Sequence, residues 1–115
     1  MPALGWVKSP VKLAGAKPDL LATTVLPTDP PPPSADNSSQ IFSVLDQLDH
    51  SSCVANAGSQ LLRADLVRQG KDPVLPSRHF GWYLARAQDG SQFIDTGTWI
   101  RALFNAYKTL GYPPE

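Results

Sequence analysis

The sequence predicts a small, mainly α-helical domain of three helices, preceded by a long extended arm. In three segments the apolar residues recur at spacings of three and four, which is the period of an amphipathic helix. Each segment follows a serine or threonine and stops at a glycine, the residue types that begin and end helices. With 115 residues and 42% hydrophobic content, one small domain is the most that the chain can fold.

The arm is predicted over residues 1–40 and the helical domain over residues 41–115. Four consecutive prolines at 30–33 favour a polyproline-type conformation, because proline fixes φ and has no N–H donor. A polar stretch follows them at 35–39. We expect the arm to be extended and to lie along a surface of its own domain or of a neighbour.

A short apolar run precedes the first helix. Residues 41–45 include β-branched side chains and predict a buried extended segment. The first helix is predicted at about 53–69, where Ser51 or Ser52 can cap its N-terminus and Gly70 can end it. We expect it to be the central, buried helix. Its predicted apolar stripe is Val54, Ala57, Leu61 and Ala64.

The second and third helices are predicted to be shorter. The second spans about 78–88 with Ser77 as its N-cap, and the third follows a cap at Thr96 or Thr98 and stops at Gly111. Aromatic side chains at helical spacing belong to the core more often than to a recognition surface. The predicted stripes are Phe80, Tyr83, Leu84 and Ala87 in the second helix, and Ile100, Leu103, Tyr107 and Leu110 in the third.

The composition disfavours two classes of partner. Ten basic and ten acidic residues balance and do not cluster, so nothing predicts binding to nucleic acid or to an anionic membrane. Residues 1–12 hold prolines and scattered charges instead of an apolar run, so neither a secretory signal nor a transmembrane segment is predicted. We expect the protein to be synthesised in the cytoplasm and to bind no cofactor. Its incorporation into a large assembly such as a virion stays open.

The single cysteine, Cys53, is the main candidate for chemistry. It cannot form an internal disulfide, which leaves a buried small side chain, a metal ligand or a nucleophile. Its place in the first turn of a helix favours the thiolate, because backbone N–H groups and the helix dipole stabilise negative charge there. Metal binding is disfavoured, since Cys53, His50, His79 and Asp95 lack the short paired spacings of zinc ligands.

Gln47, six residues before Cys53, can supply a second functional group. Its side-chain amide can reach back beside the sulfur and donate a hydrogen bond together with the backbone N–H of Cys53. Two donors that converge beside a nucleophile stabilise the oxyanion of acyl transfer. Taken alone Gln47 is an ordinary polar loop residue, and its spacing from Cys53 is what indicates a role.

These residues resemble the papain-like cysteine peptidases, and more closely their bacterial and viral branch. In Asp46-Gln47 and the stretch 51–57, Gln47 and Cys53 occupy the positions of the family's oxyanion-hole glutamine and nucleophilic cysteine. Taken together with other blocks, this match covers about 41–115. The other stretches that resemble the family are 75–86, 95–115 and, at the start of the chain, 5–7.

The resemblance implies the helical half of a papain fold, with Cys53 attacking a peptide carbonyl and Gln47 binding the oxyanion. The family takes its histidine base and the orienting Asn or Asp from a β-rich half, more than about a hundred residues after the cysteine. Here the sequence ends 62 residues after Cys53, and neither His50 nor His79 matches that base. We therefore expect the chain alone to be inactive, with a β-rich half or a neighbouring subunit as its partner and peptides as its substrates.

The chain also departs from the family pattern. The glycine that usually follows the glutamine is Leu48, the glycine two residues before the cysteine is Ser51, and the bulky residue after it is Val54. We expect the loop to differ slightly in shape. A second function stays open: a non-catalytic structural or interaction protein derived from a peptidase, which docks into a larger assembly such as a virion.

Overall fold

The computed structural model describes residues 29–115, in which the chain forms three α-helices. Helix α1 spans Cys53–Arg68, α2 spans Arg78–Ala87 and α3 spans Ile100–Leu110. A short 3-10 helix at Ser38–Gln40 precedes them, and the described residues contain no β-strand. The predicted mainly α-helical architecture is confirmed. No helix within 29–115 is long and apolar enough to cross a membrane.

Most of the predicted arm lies outside the described residues. Residues 1–28, which include the stretch 5–7, are not described. Residues 29–37 are exposed and contain neither helix nor strand. The domain boundary at residue 40 stays a prediction.

The segment before α1 is not buried as expected. Val44 is 96% exposed and Phe42 is 55% exposed. The Arg63 guanidinium lies over the Phe42 ring, with its central carbon 4.4 Å from the ring centroid. The Ser43 carbonyl accepts a hydrogen bond from Gln60 at 2.6 Å. The segment therefore lies along α1 through these contacts and leaves apolar side chains in solvent.

Four of the predicted helix boundaries are confirmed, at Ser52, Gly70, Ser77 and Gly111. The Ser77 hydroxyl caps α2 by accepting a hydrogen bond from the Phe80 N–H at 3.4 Å. Helix α1 ends two residues before Gly70, whose φ of 68° lies in the left-handed region that glycine adopts without strain. The predicted start of α3 is wrong, because the N-cap residue is Trp99 and no side chain caps the helix. Thr98, one of the two predicted caps, is buried instead.

The buried face of α1 differs from the predicted stripe. Val54 and Ala64 are buried, but Ala57 is exposed and Leu61 is 61% exposed. Each helix contacts the other two, so α1 is not a central helix enclosed by its neighbours. Small side chains make up much of its inner face, which allows close packing. The buried residues of α1 are Val54, Ala55, Gly58, Ser59, Ala64 and Leu66.

The stripes predicted for α2 and α3 are only partly correct. In α3 Leu103 and Tyr107 are buried, whereas Ile100 and Leu110 are 50% and 63% exposed. In α2 none of the four predicted residues is fully buried, and Tyr83 is 43% exposed. The residues that α2 buries are Gly81, Trp82, Ala85 and Arg86.

A buried arginine explains why the buried face of α2 differs from the predicted one. The Arg86 guanidinium stacks over the Trp82 ring at 3.6 Å from its centroid. It also donates to the carbonyl of Trp82 at 3.2 Å and to the carbonyl of Ile94. Hydrophobic periodicity predicts that an arginine is exposed, but these contacts stabilise the Arg86 charge inside the fold. Burial lowers the pKa of Arg86.

The core forms where α3 packs closely on α1 and α2. Leu103 is completely buried and Tyr107 is 4% exposed. A Cβ atom added at Gly58 would meet Leu103, and one added at Gly81 would meet both Leu103 and Tyr107. The two glycines therefore leave the space that these side chains of α3 occupy.

The Tyr107 hydroxyl connects the three helices by hydrogen bonds. It lies 2.8 Å from the Ser59 hydroxyl on α1 and donates to the Ser77 carbonyl at the start of α2, at 3.1 Å. Since a hydroxyl has one donor and two acceptor sites, Ser59 is the donor in the first contact. Ser59 is itself completely buried, so this pairing removes an unsatisfied polar group from the core.

We expect Gly81→Ala to destabilise the fold by about 1–3 kcal/mol. The new methyl group would lie 2.6 Å from Tyr107 Cζ and 2.7 Å from Leu103 Cδ1, both held in the core. At an open helical position the same change would stabilise by about 0.5–1 kcal/mol. Urea denaturation measures the sign, and a gain in stability would show that these side chains move aside freely.

Candidate active site at the N-terminus of α1

Cys53 is the first residue of α1, where the sequence predicts it. Its side chain is partly buried and packs against the core cluster that includes Val54 and Trp82. This burial raises the pKa of the Cys53 thiol, and the backbone N–H groups of Val54 and Cys53 oppose it by a smaller amount. The net direction is opposite to the one expected from the helix dipole. In the environment that residues 29–115 provide, Cys53 is therefore a thiol at neutral pH.

Gln47 lies in a tight turn before α1. Its side-chain Nε2 donates to the His50 carbonyl at 2.7 Å, and the His50 N–H donates back to the Gln47 carbonyl at 3.3 Å. The Leu48 N–H donates to the Asp46 carboxylate at 2.8 Å. A side-chain amide carries two N–H donors, so Gln47 can serve a second acceptor while it holds His50.

Leu48 adopts a left-handed backbone conformation with φ of 54°. Glycine takes this conformation without strain, while other residues pay roughly 1–2 kcal/mol because Cβ approaches the following carbonyl. Residue 48 is the position at which the papain-like pattern has glycine. The turn after Gln47 therefore has a backbone shape suited to glycine, although the side chain is leucine.

Arg78, the first residue of α2, connects the turn to α1 and to residue 115. Its Nη1 donates to the Asp46 carbonyl at 3.0 Å and to Asn56 Oδ1 at 2.8 Å. Its Nε lies 3.0 and 2.7 Å from the two carboxylate oxygens of Glu115, and Nη2 donates to one of them. One guanidinium thus binds groups from three separate parts of the chain.

Asn56 extends this connection to the residue before Cys53. Its Nδ2 donates to the Ser52 carbonyl at 3.0 Å and to the Ser52 hydroxyl at 3.1 Å. Ser52 is the N-cap residue of α1, but its hydroxyl makes no capping bond to the helix backbone. The predicted N-cap position is confirmed, and the hydroxyl binds Asn56 instead of a backbone N–H.

The last described residues hold Glu115 in place beside Arg78. Residues 113–115 run against the start of α2 through an isolated antiparallel bridge between Pro76 and Pro114, with a backbone hydrogen bond on either side of it. The hydrogen bonds from Arg78 lower the pKa of the Glu115 carboxyl. The side chains are only 20% and 31% exposed, so solvent screens this ion pair less than it screens a surface pair.

Two histidines lie together beside the turn. The ring centroid of His50 is 5.9 Å from that of His79 and 5.7 Å from that of Trp82. Asp95 lies 3.8 Å from His50 Nδ1 and accepts the Ser51 N–H at 2.9 Å, and this backbone bond is the main reason that the pKa of Asp95 is lowered. Sequence reasoning missed the cluster, because contacts between distant residues leave no spacing signal.

A cavity of about 70 Å³ lies between the turn and α2. It brings Gln47 and both histidines together with Arg78, and Cys53 is not among its lining residues. Within the described part of the chain no group of three His, Cys, Asp or Glu side chains is placed to hold a metal ion. The residues that line the cavity are Asp46, Gln47, Leu48, His50, Ser52, Asn56, Arg78 and His79.

We expect Glu115→Gln to make folding less sensitive to acid. Hydrogen bonds from Arg78 lower the folded-state pKa of Glu115. The stability from this pair is therefore present above the unfolded pKa of about 4.3 and is lost as the pH falls through the lower folded value. Urea denaturation between about pH 6 and pH 3 should show a larger loss of unfolding free energy in the wild type. Equal losses in the two proteins would contradict this account.

We expect Leu48→Gly to raise the free energy of unfolding by up to about 1 kcal/mol. Relief of the left-handed strain exceeds the extra entropy that glycine gives the unfolded chain. Leu48 is 72% exposed, so little apolar burial is lost. The matched control is Leu61→Gly, an exposed leucine within α1, which should lower stability by about 1 kcal/mol. A similar loss at both positions would show that the turn stores no strain at Leu48.

Comparisons with models of protein families, with curated proteins and with solved structures found no match to this chain. The resemblance to papain-like peptidases therefore rests on the spacing of Gln47 and Cys53 and on the stretches that follow them.

Proposed function

We propose that this chain is the nucleophile-bearing helical half of a papain-like cysteine peptidase. The observation that carries the proposal is the left-handed backbone at Leu48, directly after Gln47. Strained backbone of this kind persists where the shape of a segment matters, and functional sites are enriched in it. At an exposed leucine it indicates that the turn keeps a geometry for which the family uses glycine.

The proposed chemistry is acyl transfer to sulfur. The Cys53 sulfur attacks the carbonyl carbon of a peptide bond, and the carbonyl oxygen becomes an oxyanion. The second side-chain N–H of Gln47 and the backbone N–H of Cys53 bind that oxyanion. The amine leaves with a proton, and water then hydrolyses the thioester to release the acid and restore the thiol.

The raised pKa of Cys53 means that the thiol needs a base. An imidazole that accepts the proton becomes a cation, and a cation beside the sulfur favours the thiolate. In the family this imidazole comes from the β-rich half, and the proposal assigns it to the same source. His50 and His79 do not match the position of that base in the sequence.

A second function is favoured by apolar side chains that remain in solvent. Val44 is 96% exposed and Phe93 is 83% exposed, with Ile94 beside it at 63%. Exposed apolar surface of this kind marks sites of interaction with other proteins when it is contiguous. In this reading the chain is a non-catalytic structural or interaction protein derived from a peptidase, which docks into a larger assembly such as a virion.

An epoxide probe built on a peptide separates the two functions. The protein isolated from its natural source is incubated with the probe at neutral pH, and mass spectrometry identifies the labelled residue. A peptidase should be labelled at Cys53 within minutes, and Cys53→Ala should remove the label. Gln47→Ala should lower the rate of peptide cleavage by a factor of about a hundred to a thousand, because one oxyanion donor is lost.

The 115-residue chain by itself is the control for this experiment. Because burial raises the pKa of Cys53, the probe should label it no faster than it labels free cysteine. If the protein from its natural source also reacts only at that rate, the peptidase proposal is wrong. The interaction function would then be the better explanation of the exposed apolar residues.

A further inference from the structure

We infer that Arg78 is a positioning residue that fixes the Gln47 turn against the N-terminus of α1. This inference rests on the proposed function, in which donors from Gln47 and from the Cys53 backbone bind one oxyanion. The two donors belong to different elements and must converge within about 3 Å of the same oxygen. The contacts of Arg78 supply the connection between these elements.

A single nitrogen of Arg78 binds both elements. Nη1 donates to the carbonyl of Asp46, the residue before Gln47, at 3.0 Å. It also donates to Asn56 on α1 at 2.8 Å. A movement of the turn away from α1 therefore breaks at least one of these two bonds.

The α1 side of this connection leads to Cys53. Asn56 accepts from Arg78 with its Oδ1 and donates with its Nδ2 to both the carbonyl and the hydroxyl of Ser52. Ser52 directly precedes Cys53 in the chain and is 4% exposed. Arg78 thus acts on the peptide group that carries the Cys53 N–H through one intervening side chain.

Glu115 sets the direction of the guanidinium. Its carboxylate binds Nε and Nη2, which form one edge of the planar group. Because the guanidinium is rigid, this pairing aims Nη1 toward Asp46 and Asn56. A lysine keeps the charge next to Glu115 but has no planar fork, so Arg78→Lys should retain the ion pair and lose the positioning.

The first test measures backbone mobility by NMR. In the wild type the ¹⁵N order parameters of Leu48 and His50 should be near about 0.85, and in Arg78→Lys they should fall below about 0.6. The order parameter of Leu103 should be the same in the wild type and in Arg78→Lys. The matched control is Arg68→Lys, which alters an exposed ion pair with Asp65 on α1 and should leave the turn rigid.

Two outcomes of this measurement overturn the inference. Order parameters in the turn that do not change in Arg78→Lys would show that other contacts hold it. A loss of order that extends equally to Leu103 would show that Arg78 supports the whole fold and has no specific effect on the turn.

The second test measures peptide cleavage by unlabelled protein from the natural source, once the epoxide probe has identified Cys53 as its reactive residue. Arg78→Lys should lower kcat about tenfold and leave KM within about twofold, because the oxyanion exists only in the transition state. Gln47→Ala should then cost less in the Arg78→Lys background than in the wild type. If the two losses simply multiply, Arg78 does not act through Gln47 and the inference is wrong.

Failure of the inference can be distinguished from failure of the proposed function. Absence of labelling at Cys53 rejects the peptidase, while the order parameters still decide whether Arg78 holds the turn. Labelling at Cys53 together with a turn that stays rigid in Arg78→Lys supports the peptidase and rejects the role of Arg78.

Discussion

The buried hydroxyl of Tyr107 determines how the three helices meet. It accepts a hydrogen bond from Ser59 on α1 and donates one to the Ser77 carbonyl at the start of α2. Burial raises the pKa of Tyr107, so the hydroxyl keeps its proton and its role as donor at neutral pH. Because Arg78 directly follows Ser77, the position of the candidate site depends on this hydrogen bond in the core.

The sequence predicts the existence of the helices better than it predicts their buried faces. Caps act locally, and Ser77 and Gly70 mark helix ends through the conformation of their own neighbourhood. The faces depend on packing between helices. Gly58 and Gly81 leave space for side chains of α3 yet carry no hydrophobic signal. Arg86 is buried because Trp82 and backbone carbonyls satisfy its charge. A periodicity of apolar residues contains none of this information.

At the candidate site, local features could be read from the sequence and long-range features could not. The sequence places Cys53 at the start of α1 and Gln47 in the turn before it, as the structure has them. The bonds from Arg78 join residues 22 and 37 positions apart, which no local pattern encodes. The pKa of Cys53 was predicted in the wrong direction, because the helix-dipole argument counts nearby N–H groups and omits the core that desolvates the sulfur.

Under the proposed function, the burial of Cys53 has opposite effects before and after the base arrives. Without a nearby cation, desolvation favours the neutral thiol and keeps the helical half unreactive. When an imidazolium lies beside the sulfur, the same low-dielectric surroundings strengthen the attraction between the two charges. The imidazolium then stabilises the thiolate, and this attraction outweighs the effect of desolvation on the sulfur. Reactivity of Cys53 would therefore depend on assembly with the β-rich half.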